Sequence, residues 1–244
     1  SGVTTIIGSA FDINTAYGST GITGLGDENI TLDTSIVHAS DLNLLDSNTV
    51  GTINADIVTT IEGYASDINI AYASDGIIKT NLGSETVILH DLTVQASDLN
   101  ALDTNNTSGT INASGVTTIT GLANDINIAY ASDGITGLGD ENITLDTPTV
   151  VAADLNILDK NTTGTINADI VTTIEGLASD INIAYASDGI SKTNLGSETV
   201  NLTDLTVDAF NLNILDSNNT TGTINASGVT TIIGSAFDIN TAYG

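Results

Sequence analysis

The fold is decided by residues 110–132, TINASGVTTITGLANDINIAYAS, because variants of this stretch recur along the whole chain. Its core is the tripeptide Asp-Ile/Leu-Asn, which here is Asp125-Ile126-Asn127. The first position of the core is occupied by Asp12, Asp41, Asp67, Asp98, Asp125, Asp154, Asp180 and Asp238, with Asn211 in the same frame. Successive cores are 29, 26, 31 and 27 residues apart, and this cycle of 113 residues then repeats. A recurring period of this size predicts stacked repeats, each too small to bury a core alone.

The internal repeat also predicts the domain organisation. Residues 1–113 align without gaps on residues 114–226, and residues 227–244 repeat residues 1–18 letter for letter. We therefore predict a single continuous solenoid over residues 1–244, made of about nine coils.

Composition limits both the core and the partners of the chain. Hydrophobic residues make up 40% of the sequence but aromatic residues only 4%, and Cys, Met and Trp are absent, so we expect thin layers of Ile, Leu, Val and Ala. Thirty acidic residues against three lysines give a formal charge of −27. This charge excludes nucleic acid as a partner and favours cations. No apolar run is long enough to predict membrane insertion.

The opening T-I-N-A of the unit predicts a strand, since Ile111 and Ala113 alternate with polar residues. Eight such segments can stack in parallel. If they form one sheet, its outer face carries a strip of Thr and Asn side chains, among them Thr31, Asn54, Thr110, Asn112, Thr144, Asn167 and Asn225.

The segment around the core predicts a helix of about two turns, because Leu122, Ile126, Ala129 and Tyr130 recur at helical spacing. Ser9, three residues before Asp12, is suited to cap such a helix. The predicted fold is therefore an α/β repeat solenoid with short parallel strands on one face and short helices on the other, a layout similar to that of leucine-rich-repeat proteins. The alternative is an all-β solenoid in which the core segments are turns or strands.

The repeats LNxLDxNTTGTINAS, VTTIxGxAxDINxAYAS and GITGLG resemble repeat regions of very large acidic surface or secreted proteins of marine bacteria, especially cyanobacteria. The resemblance covers the whole chain and implies an extracellular or cell-surface location with a structural or adhesive role. It implies no catalytic residues.

Four Asp-x-Asn motifs are followed by a glycine and could bind calcium through hard oxygen ligands. The candidate metal ligands are Asp46, Asn48, Asp103, Asn105, Asp159, Asn161, Asp216 and Asn218. The motifs lack the distal glutamate of an EF-hand, and turn formation by Asp, Asn and Gly explains them equally well. No cofactor is required, and calcium is the candidate ion.

The Asn two positions after each core Asp, such as Asn14 and Asn127, could form a row of ligands. The stronger interpretation is that its amide satisfies backbone groups between coils.

We expect no enzymatic activity. The two histidines, His38 and His90, are replaced by Val151 and Thr203 in the second copy, and no nucleophile motif accompanies them. Two function classes remain. The first is a rod-like spacer or fibre-forming unit whose copies associate end to end or laterally. The second is a binding module that holds calcium, glycans or ice through the acidic motifs or the Thr/Asn strip.

Overall fold

The structure is a computed structural model that describes residues 2–78, 82–191 and 195–243. The chain comprises two compact units, which we call unit 1 (Ser1–Val116 and Ser132–Leu138) and unit 2 (Thr117–Ala131 and Gly139–Gly244). The continuous solenoid over residues 1–244 stays a prediction.

The described residues contain nine helices, and each of them includes one Asp-Ile/Leu-Asn core or its Asn211 variant. Unit 1 holds α1 (Ala10–Tyr17), α2 (Ala39–Asn48), α3 (Ala65–Ala73) and α4 (Ala96–Asn105). Unit 2 holds α5 (Ala123–Ala131), α6 (Ala152–Asn161), α7 (Ala178–Ala186), α8 (Ala209–Asn218) and α9 (Ala236–Tyr243). The predicted helices are confirmed, and the all-β alternative is wrong.

Short strands connect the helices. Unit 1 holds β1 (Thr5–Gly8), β2 (Asn29–Leu32), β3 (Ile36–His38), β4 (Ile53–Asn54), β5 (Thr60–Gly63), β6 (Ile77–Ile78), β7 (Thr86–Leu89), β8 (Thr93–Gln95), β9 (Ile111–Asn112) and β11 (Ile135–Thr136). Unit 2 holds β10 (Thr118–Gly121), β12 (Asn142–Leu145), β13 (Thr149–Val151), β14 (Ile166–Asn167), β15 (Thr173–Gly176), β16 (Thr199–Leu202), β17 (Thr206–Asp208), β18 (Ile224–Asn225) and β19 (Thr231–Ile233).

All the strand pairs within the units are parallel, as predicted, but the strands do not form one sheet. Unit 1 contains the sheets β1-β2-β4-β6 and β3-β5-β7-β9-β11. In unit 2 the parallel neighbours are β10-β12-β14, β13-β15-β16-β18 and β17-β19. The single-sheet expectation is wrong because the second apolar piece of a coil supplies a strand of its own: β5 lies between β3 and β7.

The core lies between these sheets and the helices. Ile6, Ile30, Ile53 and Ile77 are successive partners across the first sheet of unit 1. Ile30 and Ile53 are at most 1% exposed. Each described helix begins with alanine. In unit 2, Ala152 at the start of α6 lies beside Gly176 at the end of β15. Gly176 has φ +153°, and a Cβ added to it would lie 3.2 Å from the Cβ of Ala152. A side chain at Gly176 would therefore crowd the start of α6 in the preceding coil.

Two kinds of cap hold the helix starts. In α1, the Asp12 N–H donates to Ser9 Oγ at 3.1 Å, as the sequence predicted. In α3 and α7 the cap comes from another coil, since the first N–H groups, of Ala65 and Ala178, donate to the carboxylates of Asp91 and Asp204 at 2.9 Å. Burial raises the pKa of the Asp91 carboxyl, and the hydrogen bond from Ala65 opposes this rise. The start of one helix therefore depends on the next coil.

Candidate functional site

The candidate calcium ligands all lie in the last turns of helices rather than in loops. Asp46 and Asn48 belong to α2, Asp103 and Asn105 to α4, Asp159 and Asn161 to α6, and Asp216 and Asn218 to α8. Across residues 2–78, 82–191 and 195–243, no group of three or more His, Cys, Asp or Glu side chains is arranged to hold a metal ion. Calcium binding by these eight residues stays a prediction.

The Asp of this motif contacts the following coil. Ser74 Oγ donates to Asp46 Oδ2 at 2.8 Å, and Ser187 Oγ donates to Asp159 Oδ1 at 2.8 Å. The glycine two residues after this serine leaves room for the carboxylate, because a Cβ on Gly76 would collide with Asp46 Oδ1. Gly134 and Gly189 make room in the same way for the carboxylates of Asp103 and Asp159. These three glycines, each of which follows an Asp in the sequence, therefore have a packing role.

The Asn of the motif contacts the preceding coil. The Nδ2 atoms of Asn48, Asn105 and Asn161 lie 3.1, 3.4 and 3.3 Å from the Oδ1 atoms that they bond, which belong to Asn14, Asn69 and Asn127 respectively. Asp and Asn of one motif are thus engaged with different coils. In α8, Asp216 and Asn218 line two separate recesses on the surface of unit 2.

The recurring Asn of the core joins coil to coil, as the stronger interpretation predicts. Its Nδ2 donates to the backbone oxygen of the first core residue of the next coil. The pairs are Asn14 to Asp41, Asn43 to Asp67, Asn69 to Asp98, Asn127 to Asp154, Asn156 to Asp180, Asn182 to Asn211 and Asn213 to Asp238, at 2.8 to 3.1 Å. These amides are used inside the stack and are not a free row of ligands.

The outer faces of the sheets are less uniform than the predicted strip. In the first sheet of unit 1, Thr31 and Asn54 are partners, but Ile7 and Ile78 continue the same row at either end. The Asn54 oxygen accepts the N–H of Asp56 at 2.8 Å and closes the turn after β4. The Asn side chains of the T-I-N-A segments are thus partly engaged in turns.

Four buried glutamates are the polar feature that the sequence analysis missed. Glu28, Glu85, Glu141 and Glu198 are at most 2% exposed. Each accepts a hydrogen bond from a tyrosine hydroxyl, in the pairs Tyr17 and Glu28 (2.9 Å), Tyr72 and Glu85 (3.1 Å), Tyr130 and Glu141 (2.8 Å), and Tyr185 and Glu198 (3.0 Å). The same Oε2 accepts the N–H of the glycine two residues earlier at 2.7 to 2.9 Å. A carboxyl group is tolerated inside because these hydrogen bonds replace those it would make with water.

These pairs change the acidity of the phenols. Burial raises the pKa of the Tyr72, Tyr130 and Tyr185 hydroxyls well above the ordinary value of 10.0, and the neighbouring glutamates raise it further. The pKa of Tyr17 is raised for the same reasons. The Oε1 atoms of Glu85, Glu141 and Glu198 are buried without a hydrogen-bond partner among the described residues. In these three residues the recorded side-chain hydrogen bonds are all made by Oε2.

The backbone oxygen of each buried glutamate receives a second link, 21 residues later. Thr49 Oγ1 and Thr162 Oγ1 donate to the oxygens of Glu28 and Glu141 at 2.7 and 2.6 Å. In the alternate coils Asn106 and Asn219 replace threonine, and their Nδ2 atoms donate to Glu85 and Glu198 at 3.0 and 3.1 Å. Each glutamate is thus fixed to a helix before it and to a turn after it.

The two histidines meet in unit 1. His38 Nδ1 and His90 Nε2 lie 3.9 and 4.0 Å from Glu62 Oε2, and the ring centroids are 6.0 Å apart. The side chains are 54% and 45% exposed. The corresponding positions of the second copy, Val151 and Thr203, carry no imidazole.

The chain matches no known protein-family model, and searches of the curated proteins and of the solved structures find no similar chain. In the part of the chain that the structure describes, no helix has the length and apolar character needed to cross a bilayer.

Proposed function

We propose that this chain is a structural repeat segment of an extracellular or cell-surface array, and that copies associate through their end coils. The observation that carries this proposal is the use of the polar side chains. Asp46, Asn14 and Asn48 carry oxygen groups that could serve as ligands, yet each is bonded to a neighbouring coil. The repeated polar pattern is thus explained by coil stacking.

The recurrence of the stacking residues of α1 in α9 supports the association of copies. In α1, Ala10 and Ile13 are 3% exposed, because α1 packs on α2. The helix α9 has the same sequence, but none of its residues is buried. The helix α9 thus carries the residues with which α1 packs on a neighbouring helix.

The acidic surface agrees with this role. The charge of −27 makes the chain repel itself at low ionic strength and resist nonspecific association. End-to-end contacts should therefore strengthen when salt screens this repulsion.

Sedimentation velocity of the full chain over a concentration series tests the proposal. We expect oligomers that grow with concentration, and more of them at about 1 M than at about 0.1 M salt, since the screening length falls from about 10 to 3 Å. Ala236→Glu places a charge at the position that corresponds to the buried Ala10 and should abolish association. The matched control Ile128→Glu changes a half-exposed residue on the side of α5 and should leave it intact.

A chain that stays monomeric under all these conditions would overturn the proposal. Association that Ile128→Glu abolishes and Ala236→Glu does not would show lateral packing instead. Thermal melting in calcium, against sodium chloride of equal ionic strength, tests the alternative: a large rise specific to calcium would favour a binding module.

A further inference from the structure

The two histidines of the chain lie beside one carboxylate, although they are 52 residues apart in the sequence. His38 Nδ1 and His90 Nε2 are 3.9 and 4.0 Å from the same atom, Glu62 Oε2. We propose that His38, Glu62 and His90 together bind a divalent transition-metal ion such as zinc. This inference goes beyond the proposed function and holds whether or not copies of the chain associate.

Backbone pairing holds the three residues in adjacent coils of unit 1. His38 at the end of β3 is the register partner of Glu62 in β5. The His90 N–H donates to the oxygen of Gly63, the residue after Glu62, at 2.9 Å. Ile61 is fully buried, so Glu62 lies on the opposite, outer face of the sheet. The backbone therefore fixes the positions from which the three side chains meet.

The donor atoms suit a transition metal better than calcium. Imidazole nitrogen is a common ligand of zinc, copper and nickel, whereas calcium takes oxygen ligands. Two histidines and a glutamate are also the protein ligands of some zinc sites in which water completes the coordination. The charge of −27 on the chain raises the local concentration of cations. The site therefore combines selective nitrogen ligands with an attractive surface.

Small side-chain rotations are enough to close the site. In tetrahedral zinc sites, bonds of about 2.0 to 2.2 Å place neighbouring ligand atoms about 3.4 Å apart. The distances of 3.9 and 4.0 Å exceed this separation by about 0.5 Å, so the described residues hold no preformed metal group here. The His38 and His90 side chains are 54% and 45% exposed, which leaves room for rotation and for entry of the ion from solvent. The His38 side chain makes no cap hydrogen bond at the start of α2, so rotation costs no cap.

Unit 2 provides an internal control, because it has the same backbone arrangement without the histidines. Val151 is the register partner of Glu175, and the Thr203 N–H donates to the Gly176 oxygen at 3.0 Å. Val151 and Thr203 are both exposed. Glu175 Oε1 accepts a hydrogen bond from Asn201 Nδ2 at 3.1 Å. Unit 2 thus keeps the carboxylate and lacks both nitrogen ligands.

Isothermal titration calorimetry of the full chain with zinc chloride tests the site. Sodium chloride at about 0.5 M screens the general attraction of cations to the chain, and calcium chloride is titrated separately as the control for a hard cation. We expect one zinc ion per wild-type chain, and none in the double variant His38→Val with His90→Thr, which carries the residues of unit 2. Glu62→Gln should weaken zinc binding by at least about tenfold, since it removes a charged ligand.

A reciprocal variant adds the site to unit 2. Val151→His and Thr203→His supply the nitrogen ligands, and Asn201→Ile copies Ile88 of unit 1 and removes the hydrogen bond to Glu175. This triple variant should bind two zinc ions per chain. A triple variant that melts like the wild type yet binds one zinc ion would show that these positions do not suffice, and would overturn the geometric argument.

Thermal melting gives a second measure, because a bound ion joins the coils of β3, β5 and β7. Zinc at about a hundredfold excess over its Kd should raise the melting temperature of the wild type by about 5 °C or more. The melting temperature of the His38→Val and His90→Thr variant should not change. A wild type that binds no zinc, or zinc binding that this double variant retains in full, would overturn the proposal.

Discussion

The helices α5 and α9 of unit 2 share the pattern Ala-x-Asp-Ile-Asn-x-Ala-Tyr but differ in their neighbours. In α5, Ile126 is fully buried and the Tyr130 hydroxyl bonds to Glu141 at 2.8 Å. In α9, Ile239 is only half-buried and Tyr243 is 78% exposed. Both segments are helical, so local sequence is enough to specify the helix. Burial and the strongest hydrogen bonds come from the coil that follows.

The largest effect is expected from the apolar residue of the core. Ile126→Ala removes a side chain from a closed interior and should lower the free energy of unfolding by about 3 to 4 kcal/mol. Ile239→Ala should cost less than about 1 kcal/mol, because water already reaches that side chain. Chemical denaturation of the two variants measures the difference. Equal losses would mean that α9 is as well packed in solution as α5.

The next largest effect should be a loss of stability at alkaline pH, caused by the buried tyrosines. Their pKa is higher in the folded than in the unfolded chain, so their stabilisation is complete below about pH 10 and is lost as the pH rises towards the folded pKa. At pH 11, ionisation of Tyr72 and of Tyr185 in the unfolded chain should each lower the free energy of unfolding by about 1.4 kcal/mol. The loss from Tyr130, which water reaches in part, should be smaller.

Thermal melting between pH 8 and pH 12 measures this loss. The double variant Tyr72→Phe with Tyr185→Phe should lose less stability between about pH 9 and 11 than the wild type, since phenylalanine does not ionise. Tyr243→Phe serves as the control and should follow the wild-type curve. A stability that does not change up to pH 12 would contradict the raised pKa of the phenols.

The third comparison removes only a hydroxyl. Tyr130→Phe leaves the Glu141 carboxylate buried with one hydrogen bond fewer and should cost about 2 kcal/mol at neutral pH. Tyr243→Phe should cost nearly nothing. Denaturation midpoints of the two variants give the difference. A Tyr130→Phe variant as stable as the wild type would mean that water replaces the phenol at this carboxylate.

The smallest effect concerns the amide of the core. Asn127→Ala removes a donor to the Asp154 oxygen at 2.9 Å and an acceptor for Asn161, and should cost about 1 to 2 kcal/mol. Asn240→Ala, at the exposed position of α9, should change stability by less than about 0.5 kcal/mol. Hydrogen exchange of the backbone amides around α5 and α6 would show where stability is lost. Equal protection of these amides in the Asn127→Ala and Asn240→Ala variants would contradict the prediction.

Much of the fold could be predicted because the relevant signals are local. Ile111 and Ala113 alternate with polar residues, and both are fully buried. Ile126 and Ala129 have helical spacing and lie on the buried side of α5. The division into several sheets could not be predicted, because pairs such as Ile119 with Ile143 depend on the register between coils.

The buried glutamates could not be recognised from local sequence, since glutamate normally lies on the surface. Glu141 can be buried because two groups donate hydrogen bonds to its Oε2: the hydroxyl of Tyr130, 11 residues earlier, and the N–H of Gly139. One signal was available: glutamate recurs without change at 28, 85, 141 and 198, whereas the residue before it alternates between Asp and Ser. Similarly, Asp46 and Asn48 resemble ion ligands in sequence, and only the structure shows that they contact different coils.

The links at the glutamates also explain the uneven repeat lengths. Tyr17 and Glu28 are 11 residues apart, whereas Tyr72 and Glu85 are 13 apart, which accounts for the spacings of 29 and 31. The turn from Thr49 to Gly51 is one residue shorter than the turn from Asn106 to Gly109, which accounts for 26 and 27. In both pairs the corresponding tyrosine and glutamate are joined, so the difference of two residues lies between the linked side chains. The hydrogen-bonded ends therefore let coils of different length keep the same side-chain links.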